Sequence, residues 1–201
     1  MIALSSHRPH SKSREFAFNQ RLAWLSWQGC FNKIIYAGPP EAELQSRKTV
    51  FIQTEDFPTI QTLAKIASEQ SEESVAVLNA DICVGHRFGQ VKLRMQSMLC
   101  ASSRRWHFDP TNPQNFENAV LIDSDRGRDI FIAKKRVWKR IADLVPGHLR
   151  IGHQQWDAWM TDYFNSLKPS FFDFTGIKCI FHPNHGDRQM PYADQIVNAI
   201  A

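Results

Sequence analysis

The sequence predicts an α/β protein with a mixed, mainly parallel β-sheet flanked by helices, and three observations carry that prediction. Over the first 84 residues, short apolar runs alternate with amphipathic stretches in the order strand, helix, strand, strand, helix, strand. The run Val75-Ala76-Val77-Leu78-Asn79-Ala80-Asp81-Ile82-Cys83-Val84 is nearly continuous in apolar character but stops on Asn79 and Asp81. A buried parallel strand reads this way when its carboxyl end opens on a polar mouth, where ligands of open α/β sheets bind. Finally, 201 residues with a 43% apolar share suffice for the full core of one domain.

The elements follow in order. Residues 2–4 give a first strand that runs into a polar loop. Residues 14–27 carry Phe18, Leu22 and Leu25 at helical spacing. Lys33-Ile34-Ile35-Tyr36-Ala37 forms a second strand, ended by Gly38-Pro39-Pro40, and Val50-Phe51-Ile52 a third. Asp56 and Pro58 then open a helix with Ile60, Leu63, Ala64 and Ala67 on one face. The strand ending at Asp81 comes next. Residues 91–101 fit either a strand or a helix. Residues 119–122 and 129–133 read as two strands around Ser124-Asp125-Arg126-Gly127-Arg128. Residues 152–164 form the clearest helix, with Trp156, Trp159, Met160, Tyr163 and Phe164 on one stripe. Residues 177–181 make a last strand, followed by His182-Pro183-Asn184-His185.

Composition narrows the class of protein. No apolar stretch approaches the roughly 20 residues of a membrane span. The short apolar start, Met1-Ile2-Ala3-Leu4, is not the core of a secretory signal, so a cytoplasmic location is expected. Cys30, Cys83, Cys100 and Cys179 are scattered without a Cys-x-x-Cys pair, against a zinc ribbon or redox motif. Cys83 and Cys179 read as reduced core residues. The net charge of +4 is mild. Its densest part, Lys134, Lys135, Arg136, Lys139 and Arg140, reads as the solvated face of a short helix, so nucleic acid is not the expected partner.

Four polar groups sit at element ends. Asp81, with Asn79, either caps a strand-terminal turn or holds a divalent ion against a diphosphate, since Mg²⁺ and Mn²⁺ favour oxygen ligands. His182 and His185 are either surface histidines or ligands converging on a metal or phosphate. Asp157, in the first turns of the Trp-rich helix, either simply stabilises the helix start or, kept ionised there, accepts a proton. Asp129 begins an apolar strand after a turn of alternating charge and can face a cleft.

In their order along the chain these groups resemble a family of nucleotide-diphospho-sugar transferase-like proteins with the GT-A glycosyltransferase fold. The resemblance rests on Ser6-His7-Arg8-Pro9-His10, Asn79-Ala80-Asp81-Ile82, Ser103-Arg104-Arg105-Trp106 and Gly127-Arg128-Asp129-Ile130-Phe131. Ile151-Gly152 with Trp156-Asp157-Ala158-Trp159, Asp173-Phe174-Thr175 and His182 to His185 complete it, so that it spans residues 6–187. It implies a single GT-A-like domain over residues 1–201, with a Rossmann-like nucleotide-binding half over about 1–84 and an acceptor and catalytic half over about 85–201. It implies a glycosyltransferase that moves a sugar from a nucleoside-diphosphate sugar to a hydroxyl acceptor, a glycan or another, with inversion. Asp81, His182 and His185 would hold Mn²⁺ or Mg²⁺. Arg8 and Arg105 would face phosphate oxygens, Asn79 would line the donor site, Asp129 would help bind the donor sugar or the acceptor, and Trp156 would offer a face to a sugar ring. Asp157 would be the general base. The sequence departs from the family's Asp-x-Asp element by placing Asn79 where its first Asp stands, and an amide holds an ion more weakly than a carboxylate. Two other readings stay open: a non-catalytic nucleotide-binding protein of the same fold, and a metal-dependent phosphohydrolase or nuclease using Asp81, His182 and His185. The latter usually needs more carboxylates than the chain offers.

Overall fold

A computed structural model describes residues 1–6, 14–54, 57–110, 116, 118–122, 127–151 and 155–184. The strands are β1 (Ile2–Ser5), β2 (Lys33–Ala37), β3 (Thr49–Ile52), β4 (Ser74–Leu78), β5 (Cys83–Val84), β6 (Cys100–Arg104), β7 (Trp106–Phe108), β8 (Arg128–Lys134), β9 (Phe171–Asp173) and β10 (Ile180–Pro183). The helices are α1 (Arg14–Cys30), α2 (Ile60–Glu69), α3 (Phe88–Arg94), α4 (Lys135–Leu144) and α5 (Trp156–Ser166).

Seven strands form one sheet in the order β3-β2-β1-β4-β8-β6-β9. All run in one direction except β8, which is antiparallel to both β4 and β6. The chain thus has the mixed, mainly parallel α/β architecture that the sequence predicts. The central strands are covered on both faces, which explains their unbroken apolar runs. One face carries Ala3, Ile34, Tyr36, Ala76, Leu78, Ala101, Ile130 and Ile132 under α1 and α3. The other carries Leu4, Ile35, Val75, Val77, Phe131 and Ala133 under α2, α4 and α5. Alternation along each strand divides its residues between these two cores.

Local chemistry sets the joints. Trp27 of α1 stacks on Tyr36 at 5.8 Å and donates its indole N–H to the Ile82 carbonyl at 2.7 Å. Trp138 of α4 likewise donates to the Val75 carbonyl at 3.0 Å, so each large indole is buried with its one donor satisfied. The Thr59 hydroxyl caps α2 by accepting from the Thr62 amide at 3.1 Å. The cap is therefore Thr59, three residues beyond the expected opening at Asp56, which lies outside the described residues.

Several expected boundaries move. β4 ends at Leu78, so Asn79 and Asp81 lie in the turn beyond it; the Asn79 amide N–H bonds to the Asp129 carbonyl at 3.0 Å and the Ile82 amide closes the turn on Asn79 at 3.2 Å. Residues 119–122 form no strand: Val120 makes an isolated bridge to His107, because β8 is already paired on both sides by β4 and β6. The ambiguous 91–101 segment divides into the end of α3 and the start of β6. The last strand begins at Ile180, since Thr175–Ile177 is a 3-10 turn and Lys178 takes a left-handed backbone. Residues 152–154 of the expected Trp-rich helix lie outside the described residues, and α5 begins at Trp156. Lys134 is the last residue of β8, paired to Glu73 at 3.0 Å, rather than part of the solvated helix face. Cys83, Cys100 and Cys179 are buried free thiols, and burial pushes Cys100 and Cys179 up to about 12. Among the described residues, no helix is long and apolar enough to cross a membrane.

Phe131 is fully buried and joins the sheet to α5, with the rings of Trp156 and Phe164 each at 5.3 Å. Phe131→Ala is expected to cost about 3–5 kcal/mol. In a thermal melt that is a fall of about 6–20 °C for a chain of this size.

Candidate functional site

The reversal of β8 creates the site. Leu78 pairs with Ile130 in the antiparallel ladder, so one step further Asn79 stands opposite Asp129 at the carboxyl end of β4. Beside it, β6 delivers Arg104 and then Arg105, across a register shift at Ser103/Arg104. The small sheet β5-β10-β7 packs at the same edge and brings His182 of β10 beside His107 of β7, two residues in register on parallel strands. Ser5, at the end of β1, fastens the neighbouring edge by donating to the Leu78 carbonyl at 2.6 Å.

Asp129 is the buried centre, only 3% exposed. Its Oδ1 accepts from Asn79 Nδ2 at 2.5 Å, and its Oδ2 is paired with the Arg105 guanidinium. Such a carboxylate has its acceptor sites met by donors, as burial demands. Even so, burial pushes its carboxyl above the usual carboxylate range. Arg105 and His182 pull it down, and Asp81 pushes it further up. Desolvation outweighs the ion pair here. Arg105, His182 and Asp81 thus all lie close enough to act on the Asp129 carboxyl, which sets them in one cluster around it.

Asp81 and His182 form the cluster's outer part. Asp81 Oδ2 lies 3.5 Å from His182 Nε2, and the Asp81 side chain is 27% exposed. The His182 and His107 rings meet edge to face at 5.4 Å. Two donors this close can share a divalent ion whose bonds to oxygen are about 2.1 Å long. Among the described residues, no group of three or more His, Cys, Asp or Glu is gathered for a metal. A divalent ion there would take Asp81 and His182 as protein donors, with its other positions filled by phosphate, water or further side chains.

Of the residues singled out from the sequence, the structure brings together Asn79, Asp81, Arg105, Asp129 and His182. Arg8 and His185 lie outside the described residues. Trp156 does not offer a face to a sugar: it is 2% exposed, with its ring against Phe131 in the core. The apolar stripe of α5 needs its largest member inside, and that need wins. Asp157 follows it in the first turn of α5, partly buried. Asp129 and Phe131 share one face of β8, and Trp156 rests on Phe131, so Asp157 starts its helix on the face that carries the Asn79–Asp129 pair. The residue before that helix, Gln155, takes a left-handed backbone with φ 77°, a conformation that costs a non-glycine residue roughly 1 kcal/mol or more.

Two features escaped the sequence. His107 sits beside His182, and the alternation of Trp106, His107 and Phe108 was the signal of a short strand that would place it. Asp173-Phe174-Thr175, singled out only as a motif, closes a structural knot. Asp173 Oδ1 accepts from the Thr175 amide at 3.0 Å and from its hydroxyl at 2.7 Å, and Oδ2 pairs with Arg128. Burial raises its pKa, but the Arg128 and Thr175 donors together hold it below the usual range.

The fold has recognisable neighbours. HddC from Yersinia pseudotuberculosis superposes with a TM-score of 0.52 at 12% identity, over 87% of this chain and 89% of that one. A candidate glucose-1-phosphate thymidylyltransferase from Bacillus anthracis gives 0.51 at 10% identity, over 87% and 85%. A candidate nucleotide-diphospho-sugar transferase from Desulfovibrio desulfuricans G20 gives 0.51 at 11%, over 87% and 79%. At such identities the likeness is one of fold: the chain has the mixed α/β fold of nucleotide-diphospho-sugar transferase-like proteins. The sequence itself matches no family model and no curated protein.

The raised Asp129 pKa fixes the sign of a pH effect. The folded state binds this proton more tightly than the unfolded chain, so its contribution to stability is present at low pH and lost as pH rises through the folded value. The melting-temperature gap between wild type and Asp129→Asn should therefore widen in favour of wild type as pH falls from 7 toward 4. A gap that stays constant or narrows would contradict the desolvated carboxylate.

Proposed function

We propose that the chain is a glycosyltransferase that takes its sugar from a nucleoside-diphosphate donor and passes it to a hydroxyl acceptor with inversion. The observation that carries this reading is the Asp81, Asp129, Arg105 and His182 cluster at the carboxyl edge of the parallel strands, the place where open α/β sheets bind nucleotides. A neighbour of the same fold, HddC, has been captured with GMP-PN. The nucleotide would lie over the first half of the chain and the acceptor against the second.

Asp81 and His182 would hold a divalent ion, Mn²⁺ or Mg²⁺, with His185 as a further ligand from the segment that follows β10. When bound, such an ion supplies Lewis-acid stabilisation of a leaving diphosphate. Arg105, partly exposed at the site edge, would meet phosphate oxygens, and Arg8, from the residues that follow β1 in sequence, would do so too; guanidinium suits this by its paired donors. Asp157, in the first turn of α5, would take the proton of the acceptor hydroxyl as its oxygen attacks the anomeric carbon.

Nucleotidyl transfer is the second reading, and the B. anthracis neighbour favours it by name. The sequence between β1 and α1 speaks for the first. It reads Ser6-His7-Arg8-Pro9-His10-Ser11-Lys12-Ser13, with no glycine. A backbone cradle for a polyphosphate is commonly built from a glycine-rich sequence leading into a helix. This sequence offers the cations Arg8 and Lys12 instead.

Heating the protein with UDP, GDP or CDP, each with and without Mn²⁺, tests the donor site. At least one nucleoside diphosphate should raise the melting temperature, and more so with Mn²⁺. If none does, the transferase reading fails. Asp157→Asn should keep that shift while lowering the rate of sugar transfer by about 10²–10⁴-fold. Pyrophosphate release from a nucleoside triphosphate and a sugar phosphate would favour nucleotidyl transfer instead.

A further inference from the structure

Asn79 looks from the sequence like a depleted metal ligand, an amide where a carboxylate would bind better. Its surroundings give it a different task. The Asn79 Nδ2 donates to Asp129 Oδ1 at 2.5 Å, and the Asn79 backbone N–H donates to the Asp129 carbonyl at 3.0 Å. The two residues face each other across the end of the β4–β8 ladder, where their backbones leave little freedom. Asp129 is buried and, as a carboxylate, only accepts hydrogen bonds. An Asp at 79 would place two acceptors at that contact, with nothing but a shared proton to reconcile them.

Arg105 completes the logic. It lies between β6 and β7, just past the register shift at Ser103/Arg104, so no regular ladder fixes its backbone there. Its guanidinium is paired with Asp129 Oδ2, yet the side chain is still 23% exposed at the site edge. One carboxylate therefore grips a turn residue with one oxygen and a partly exposed cation with the other.

We propose that Asp129 requires an amide at position 79 and, so held, is the positioning residue that orients Arg105 toward the diphosphate of the donor; the last clause rests on the function proposed above. Asn79 is then a support of the anion site and not an ion ligand.

The test uses the full chain. Asn79→Asp should lower the melting temperature at pH 7 by about 5–10 °C, as expected for an uncompensated buried charge in a protein of this size. The deficit should shrink toward pH 4.5, as the two carboxyls come to share a proton. The swap Asn79→Asp/Asp129→Asn restores one donor and one acceptor and should recover at least half of the loss. A melting temperature unchanged by Asn79→Asp, a deficit indifferent to pH, or no recovery in the swap would overturn the requirement for an amide. So would Asn79→Asp binding Mn²⁺ alone more tightly without loss of stability.

The positioning role is read by phenylglyoxal modification followed by mass spectrometry, with no nucleotide present. Asp129→Asn should speed labelling of Arg105 at least threefold while labelling of exposed Arg136 stays as in wild type. Unchanged Arg105 labelling overturns the role, and a uniform rise at both sites marks general loosening and overturns it too. Nucleoside-diphosphate binding is measured beside these, using UDP, GDP and CDP with Mn²⁺. Arg105→Ala should weaken the affinity of whichever binds about tenfold, and adding Asp129→Asn to Arg105→Ala should weaken it no further. If wild type binds none of them, the donor reading falls, while the stability and labelling results still decide whether Asp129 holds Asn79 and Arg105.

Discussion

A carboxylate buried at the head of a reversed strand must be met by donors from its neighbours, and at Asp129 this requirement organises the whole edge of the sheet. β8 runs against β4 and β6, so its first residues arrive where the parallel strands end. That reversal places an acidic residue among carboxyl ends instead of carrying it to the far side of the molecule. Once there, Asp129 can be buried only if both oxygens find donors, and Asn79 and Arg105 are what the two adjoining strands supply. The ion pair does not reverse the cost of burial, since the carboxyl remains above its ordinary pKa. Its return is geometric: a turn and a cation are held in fixed relation to Asp81 and His182.

The two hydrophobic faces explain why this edge can be polar at all. Both sides of the central strands are sealed by aromatic and aliphatic packing, with Trp27 and Tyr36 on one face and Phe131, Trp138 and Phe164 on the other. Stability is drawn from that packing, well behind the strand ends. The edge is then free to hold charge, a left-handed Gln155 and a register shift, features that local preference alone would not choose. The Trp156 ring shows the division at work. It stands one residue from Asp157, yet it is committed to the core while the carboxylate stays partly exposed.

Much of this was legible beforehand, and the reasons for the rest are physical. β1, β2, β3, β4 and α2 declare themselves because each is a continuous apolar run or a clean 3.6-residue stripe bounded by Gly, Pro or a cap. β7 and β9 are three residues long, too short for periodicity to register. The 119–122 segment is apolar enough for a strand, but pairing needs an open partner, and β8 had none left. Asp81 and His182 were legible as candidates because polar groups at strand ends are conspicuous. That Asn79 serves Asp129 was not, since their contact spans 50 positions and depends on the reversed direction of β8. His107 stayed hidden for a related reason: nothing in Trp106-His107-Phe108 says which strand will lie beside it.

The choice between sugar transfer and nucleotidyl transfer turns on what receives the charge of the phosphates. A triphosphate held for attack at its α-phosphorus calls for a dense cradle of backbone amides or cations, because three phosphoryl groups must be neutralised in one place. A diphosphate that leaves from a sugar carries its developing charge at the far oxygen, and a few well-aimed groups suffice. Described so far around the cluster are one guanidinium fixed by a buried carboxylate and one Asp–His pair of the right spacing for an ion. In the sugar-transfer reading proposed above, each such individually positioned side chain would be costly to lose, and Asp129, which holds Asn79 and Arg105, would act on the donor through them.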